Sequence, residues 1–167
     1  MLTTALFPLL LILATLLCAL TTGLLFTFAV ITMPGIKSLN DGEFIRAFQV
    51  MDGVIQNNHP LFILVWVGSV LALLLTAVLG FTQLDTVGKG ILLAATALYL
   101  FGVQLPTGVV NVPLNNQLQT LDVDKMNRDE QATARRNFEP RWNRWNRMRT
   151  AVATLVSTLL ILLLFLL

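Results

Sequence analysis

The chain has 167 residues, of which 56% are hydrophobic and only 12% charged, with a formal net charge of +2 and a mean hydropathy of +0.76. Soluble domains are about a quarter charged, so a water-soluble globule is excluded, and the same apolar excess excludes a disordered chain. The small net charge argues for no nucleic-acid partner; the lipid bilayer is the expected one.

A span needs about 20 apolar residues to cross roughly 30 Å of hydrocarbon. The first candidate, 6–33, runs from Leu6 to Met33 without a charge, and Pro34-Gly35 is expected to stop it. No Lys or Arg precedes it and it is longer than a signal core, which argues for a true span rather than a cleaved leader. Its Cys18 reads as a small hydrophobe, because one cysteine can build neither a disulfide nor a thiolate cluster within the chain. In 40–57, Asn40 followed by Glu43 forms a capping-box pattern. Phe44, Phe48, Met51 and Ile55 then recur on one helical face, which predicts an amphipathic helix lying on the membrane or across the mouth of a bundle.

The second span, 60–81, starts at Pro60 and is headed by Asn58 and His59; a tight turn from Asp85 to Lys89 leads to the third, 90–110. The long connection 111–149 is charge-dense and alternating in sign over 122–137, the pattern of a solvated helix. Pro140 suits a first helical turn, so the last helix is expected over 140–167, continuous with the apolar run from Thr150 to Leu167. The expected fold is all-α: a single four-span transmembrane domain over 1–167, an antiparallel four-helix bundle with amphipathic interfacial helices in both long connections.

All eleven Lys and Arg residues except Lys89 lie in the two long connections, 34–59 and 111–149. The positive-inside rule then places both connections in the cytoplasm and both termini on the opposite side.

No phosphate loop, HExxH, GxSxG or CxxC motif is present. What remains is a set of polar groups near the predicted cytoplasmic ends of the spans: Thr21, Thr22, Gln104, Asn111, Asn115, Asn116, Asn146, Arg149, Asn58 and His59. Asp and Glu are absent from the four spans. Polar groups at membrane depth are costly and should point inward toward partners. Each keeps a structural and a chemical reading. His59, directly before Pro60, is a wet helix-capping residue, a general base, or a metal or haem ligand with a thioether such as Met33 or Met51. Trp142, Trp145 and Arg149, at i, i+3 and i+7, are an aromatic belt with a snorkelling cation or a stacking wall for a flat aromatic ligand. Gln104 satisfies carbonyls freed by Pro106 or faces a ligand. Asn115 and Asn116 are turn or capping residues, or catalytic amides.

The strings GLLFTFAVITMPGI (23–36), NVPLNNQL (111–118) and WNRWNRMRT (142–150) resemble the DUF1772 family of small integral membrane proteins, which includes the anthrone oxygenases. The resemblance implies an oxygenase that converts an anthrone into an anthraquinone with dioxygen, without an organic cofactor and without a metal. The partner implied is a hydrophobic aromatic small molecule, phenolic or quinone-like, entering from the membrane. Carried onto this chain, the catalytic residues would be His59, Asn146 and Arg149, the last two holding an enolate oxygen. Asn111 and Asn115 would orient the substrate beside Gln104, and Trp142 and Trp145 would stack on it. The family's pattern has a histidine inside the WN string, where this chain has Arg147; His59 is the only imidazole available to compensate. A non-catalytic accessory subunit, or a bundle binding lipid, haem or another small molecule, stays open as the alternative, as do self-association and membership of a larger membrane complex.

Overall fold

The computed structural model describes residues 2–167, with side chains from Leu6 onward. It is built from five helices, four of them long and apolar enough to cross a membrane. Helix α1 covers Leu2–Thr27 and continues through Phe28–Thr32 and Met33–Ile36. Helix α2 is Asp41–Gln56 and α3 is Pro60–Gln83. Helix α4 begins at Thr86–Ala97 and runs on through Leu98–Gln104, Thr107–Asn111 and Val112–Gln119. After a short turn at Val123–Lys125, α5 occupies Arg128–Phe165. There is no strand among the described residues. This is an all-α, multi-pass membrane protein.

Pro34 does not end the first span, contrary to the sequence expectation, and the reason recurs along the chain. A proline inside a helix removes one i→i−4 bond and clashes with the carbonyl one turn back. Here the residue before each of Pro34, Pro106 and Pro113 closes a wider, i→i−5 turn. The Met33 N–H donates to Phe28 O ahead of Pro34, Leu105 to Leu100 O ahead of Pro106, and Val112 to Thr107 O ahead of Pro113. The wide turn gives the pyrrolidine room, and the helix passes through it.

Pro140 likewise lies inside a helix and does not start one. The start is upstream, where the Asn127 side chain accepts from the Glu130 N–H and the Glu130 carboxylate accepts from the Asn127 N–H. Pro140 and Arg136, the residue whose carbonyl it leaves unbonded, are both exposed, so water can solvate that group. The expected interfacial helix and the last span are therefore one helix.

Two cores are stacked along the bundle. The membrane core joins α1, α3, α4 and α5 around Leu11, Cys18, Leu73, Tyr99, Val103 and Val156. The opposite sides of these helices expose Leu9, Ile12, Leu16, Leu64, Leu71, Phe101 and others, apolar surface suited to acyl chains. The interfacial core lies at the end where both long connections sit. There α2, capped by Asn40 and Glu43 as predicted, lies across the bundle mouth rather than out on the membrane surface. Phe48 packs edge-on against Phe138 and Trp142, with ring centroids 4.6 and 5.4 Å apart. The buried face of α2 is Phe44, Ile45, Phe48 and Asp52. It is rotated from the predicted face toward Ile45, leaving Met51 and Ile55 half-buried.

Candidate functional site

Three helices carry polar residues to the junction of the two cores. On α4, Thr107, Asn111, Asn115 and Gln119 recur every four residues and so fall in one stripe. On α5, Asn146 and Arg149 lie within about 40° of Trp142 around the axis, so these three share a face. Trp145 falls about 60° to one side and packs, half-buried, against the interfacial core instead. From α2 comes Asp52, one turn after Phe48.

These faces enclose a cavity of about 170 Å³. Its wall is mostly apolar and aromatic: Phe28, Phe48, Phe62, Trp66 and Trp142, with Leu24, Leu25 and Val112. The polar groups in it are few: Thr107, Asn111, Asn115, Asn146, Arg149 and Asp52.

Arg149 is only 3% exposed. Its Nη1 donates to Thr107 Oγ1 at 2.6 Å and its Nη2 to Asn146 Oδ1 at 3.0 Å, while Nε has no partner. Among the described residues no carboxylate pairs with it. A buried cation without a counter-ion is costly, and an anionic or strongly polarised group in the cavity would offset that cost. Asn146 is held in turn by donating Nδ2 to Leu25 O at 3.1 Å, which fixes the amide oxygen that accepts from Arg149. Asn111 is 2% exposed; Nδ2 reaches Trp142 O at 3.5 Å and Oδ1 is left without a donor.

The second network is built on Asp52, 2% exposed and without a cationic partner among the described residues. Oδ1 accepts from Asn115 Nδ2 at 2.7 Å; Oδ2 accepts from Gln119 at 2.9 Å and from Gln56 at 3.2 Å. Asn115 Oδ1 accepts from the Trp142 indole N–H at 2.8 Å, so the carboxylate, the amide and the indole are one connected unit. The cavity thus combines a buried cation, a buried anion, one unpaired donor and one unpaired acceptor within an aromatic enclosure.

Five of the residues read from the sequence meet in this cavity: Asn111, Asn115, Trp142, Asn146 and Arg149. Three others stand elsewhere. Gln104 sits deeper, near the Tyr99 hydroxyl, which is 2.6 Å from Ser69 Oγ; its own Nε2 is buried without a partner. Trp145 is in the interfacial core. His59 is exposed at the head of α3, makes no side-chain cap, and is absent from the cavity wall. As a haem or metal ligand it would not have Met33 as a natural partner, because that residue is buried in the interfacial core. Among the described residues no three His, Cys, Asp or Glu side chains converge. His59→Ala is accordingly expected to leave thermal stability within about 0.5 kcal/mol of the wild type, as substitutions at exposed positions usually do; a larger loss in thermal unfolding would show that the imidazole holds the head of α3.

Sequence reasoning missed Asp52 and Thr107. Asp52 had a signal: it stands four residues after Phe48 on the apolar side of an amphipathic helix, where a carboxylate is out of place. Thr107 could have been found from the four-residue spacing of Thr107, Asn111, Asn115 and Gln119.

A family model described as anthrone oxygenase matches residues 53–159. The match includes the NVPLNNQL and WNRWNRMRT strings and nearly all of α3, α4 and α5, and it begins one residue after Asp52. No curated protein and no solved structure matches the chain.

Proposed function

Because this chain belongs to the anthrone oxygenase family, we propose that it is a membrane-embedded oxygenase acting with dioxygen on an anthrone or a related phenolic, quinone-like substrate. The observation that carries the reading is Arg149: a buried guanidinium facing an aromatic cavity with no carboxylate of the protein to neutralise it.

The chemistry needs such a group. The central methylene of an anthrone lies between two aromatic rings and across from a carbonyl, so loss of one proton gives a delocalised enolate whose charge rests largely on the oxygen. Donors already aimed at that oxygen lower the cost of forming it, and they act more strongly in an apolar site than in water. Arg149, on the cavity wall, supplies the charge. Thr107 and Asn146 hold the guanidinium in place. Trp142, Phe28 and Phe48 offer flat apolar surface to the rings, and the same surface favours dissolved oxygen over water.

The enolate is the reductant and dioxygen the oxidant. One oxygen atom ends as the new quinone carbonyl; the other leaves as water with the two methylene hydrogens. The topology that accompanies this reading is the one drawn from the basic residues, with both long connections and the cavity mouth under α2 on the cytoplasmic side.

The test is oxygen uptake by the purified, detergent-solubilised protein given emodin anthrone, with the quinone product followed by absorbance. Uptake well above the spontaneous rate, with one quinone formed per dioxygen consumed, is the expected result. Uptake no faster than in protein-free detergent would overturn the assignment and leave a ligand-binding bundle.

A further inference from the structure

We propose that Asp52 is a substrate-positioning residue that accepts a hydrogen bond from a hydroxyl on the edge of the substrate farthest from Arg149, making the site selective for aromatics with an oxyanion at one end and a hydroxyl donor at the other. The inference rests on the oxygenase reading for the first of these ends and on geometry for the second.

Both charges line one cavity without pairing with each other. Arg149 is tied to Thr107 and Asp52 to Asn115, and both of those partners lie on the same stripe of α4. They are two turns apart, roughly 10–12 Å along the axis, and subtracting a hydrogen bond of about 2.8 Å at each end leaves roughly 5–6 Å. A fused aromatic ring system with oxygens on opposite edges spans a gap of that order. The charges are therefore placed to meet the two ends of a ligand rather than each other.

The carboxylate is also prepared as an acceptor. An ionised carboxylate offers about four lone-pair positions, and the amides of Asn115, Gln119 and Gln56 occupy three. Three donors from two helices fix its orientation. Such a group suits a hydrogen bond from a phenol better than proton abstraction from carbon. The indole N–H of Trp142, bonded to Asn115, ties the stacking surface to the same acceptor, so the plane and the edge of a ligand would be set together.

Emodin anthrone and chrysophanol anthrone differ only by the ring hydroxyl that lies away from the carbonyl. The wild-type full-length protein is expected to show a lower KM for emodin anthrone. Asp52→Asn should raise that KM about tenfold, as expected when a buried acceptor for a substrate hydroxyl is replaced. The loss of kcat/KM for chrysophanol anthrone should be several-fold smaller, so that the variant discriminates less between the two substrates. Asp52→Glu, which keeps the charge, should recover part of the discrimination.

A fall in kcat that is equal for the two substrates would overturn the proposal, whether from a role in the chemistry or from damage to the fold. Binding of the already oxidised quinones emodin and chrysophanol, which lack the methylene that reacts with dioxygen, read by quenching of tryptophan fluorescence, separates this proposal from the oxygenase reading. If the wild type consumes no oxygen but binds emodin more tightly, and Asp52→Asn removes that preference, the positioning role stands although the oxygenase reading has failed. Equal affinity of the wild type for the two quinones would overturn the positioning role whatever the turnover.

Discussion

Arg149→Met is expected to lower anthrone-dependent oxygen uptake by ~10²–10³-fold, the usual loss when an oxyanion donor is removed, while the protein stays as stable as the wild type or becomes more so. The two effects have one origin. Burying a guanidinium with no carboxylate partner opposes folding, and an apolar side chain of similar length removes that opposition. Against it stands the loss of two hydrogen bonds. Thr107 Oγ1 and Asn146 Oδ1 both lose a donor, but Thr107 keeps its own bond to Val103 O, so Asn146 Oδ1 alone is left with no partner, at a cost of about 1–3 kcal/mol. A site that loses activity without losing stability is one kept for function. Arg149→Lys keeps the charge but not the fork of donors, and should fall between the two, about tenfold below the wild type. The measurement is oxygen uptake alongside thermal unfolding in the same detergent. Full turnover in Arg149→Met would remove the guanidinium from the chemistry, and a collapse in stability would make it a structural cation.

Trp142→Ala should have the largest effect on stability, about 3–5 kcal/mol, typical of a buried aromatic cut to a methyl group. The ring is 4% exposed and its centroid lies within 5.4–6.2 Å of those of Phe28, Phe48 and Phe138. It therefore joins α1, α2 and α5 at one point. Its indole N–H also satisfies Asn115, which in turn holds Asp52. Trp142→Phe keeps a ring in the cluster but loses the hydrogen bond and part of the packed indole, and should cost less, about 1–3 kcal/mol. Because α2 is held over the mouth largely by Phe44, Ile45 and Phe48, the alanine variant should release it first. Faster tryptic cleavage at Arg46, at temperatures where the spans remain helical by circular dichroism, would report this. Equal melting temperatures for the alanine and phenylalanine variants would show that the aromatic cluster contributes little.

Much of this architecture could be read directly from the chain. Apolar runs of membrane-spanning length, and the Asn40–Glu43 pair, are local signals, and local signals specify helices well. The prolines misled for a related reason. Whether Pro34 ends a helix depends on whether the turn before it can widen to i→i−5, and neighbouring helices supply the support that lets it. Pro140 misled because a strong capping box thirteen residues upstream had already started the helix, and an exposed freed carbonyl costs little.

The site divides along the same line. Asn111, Asn115, Trp142, Asn146 and Arg149 were legible because polar groups beside apolar spans must turn inward, and helical spacing says which of them turn together. His59, Gln104 and Trp145 answer to the same rule, yet they point to other surroundings. One-dimensional spacing limits a side chain's direction to an arc, and only the packing of a neighbouring helix chooses within it. Asp52 shows this most clearly. By itself the sequence determined a four-span membrane bundle with a polar set at the end that carries the basic connections, because hydropathy, helix period and charge asymmetry are properties of single segments. That α2 folds over the mouth and carries a carboxylate into the cavity opposite Arg149 was decided by the tertiary structure alone, because it depends on Phe48 finding Phe138 and Trp142, residues far along the chain whose proximity no local pattern encodes.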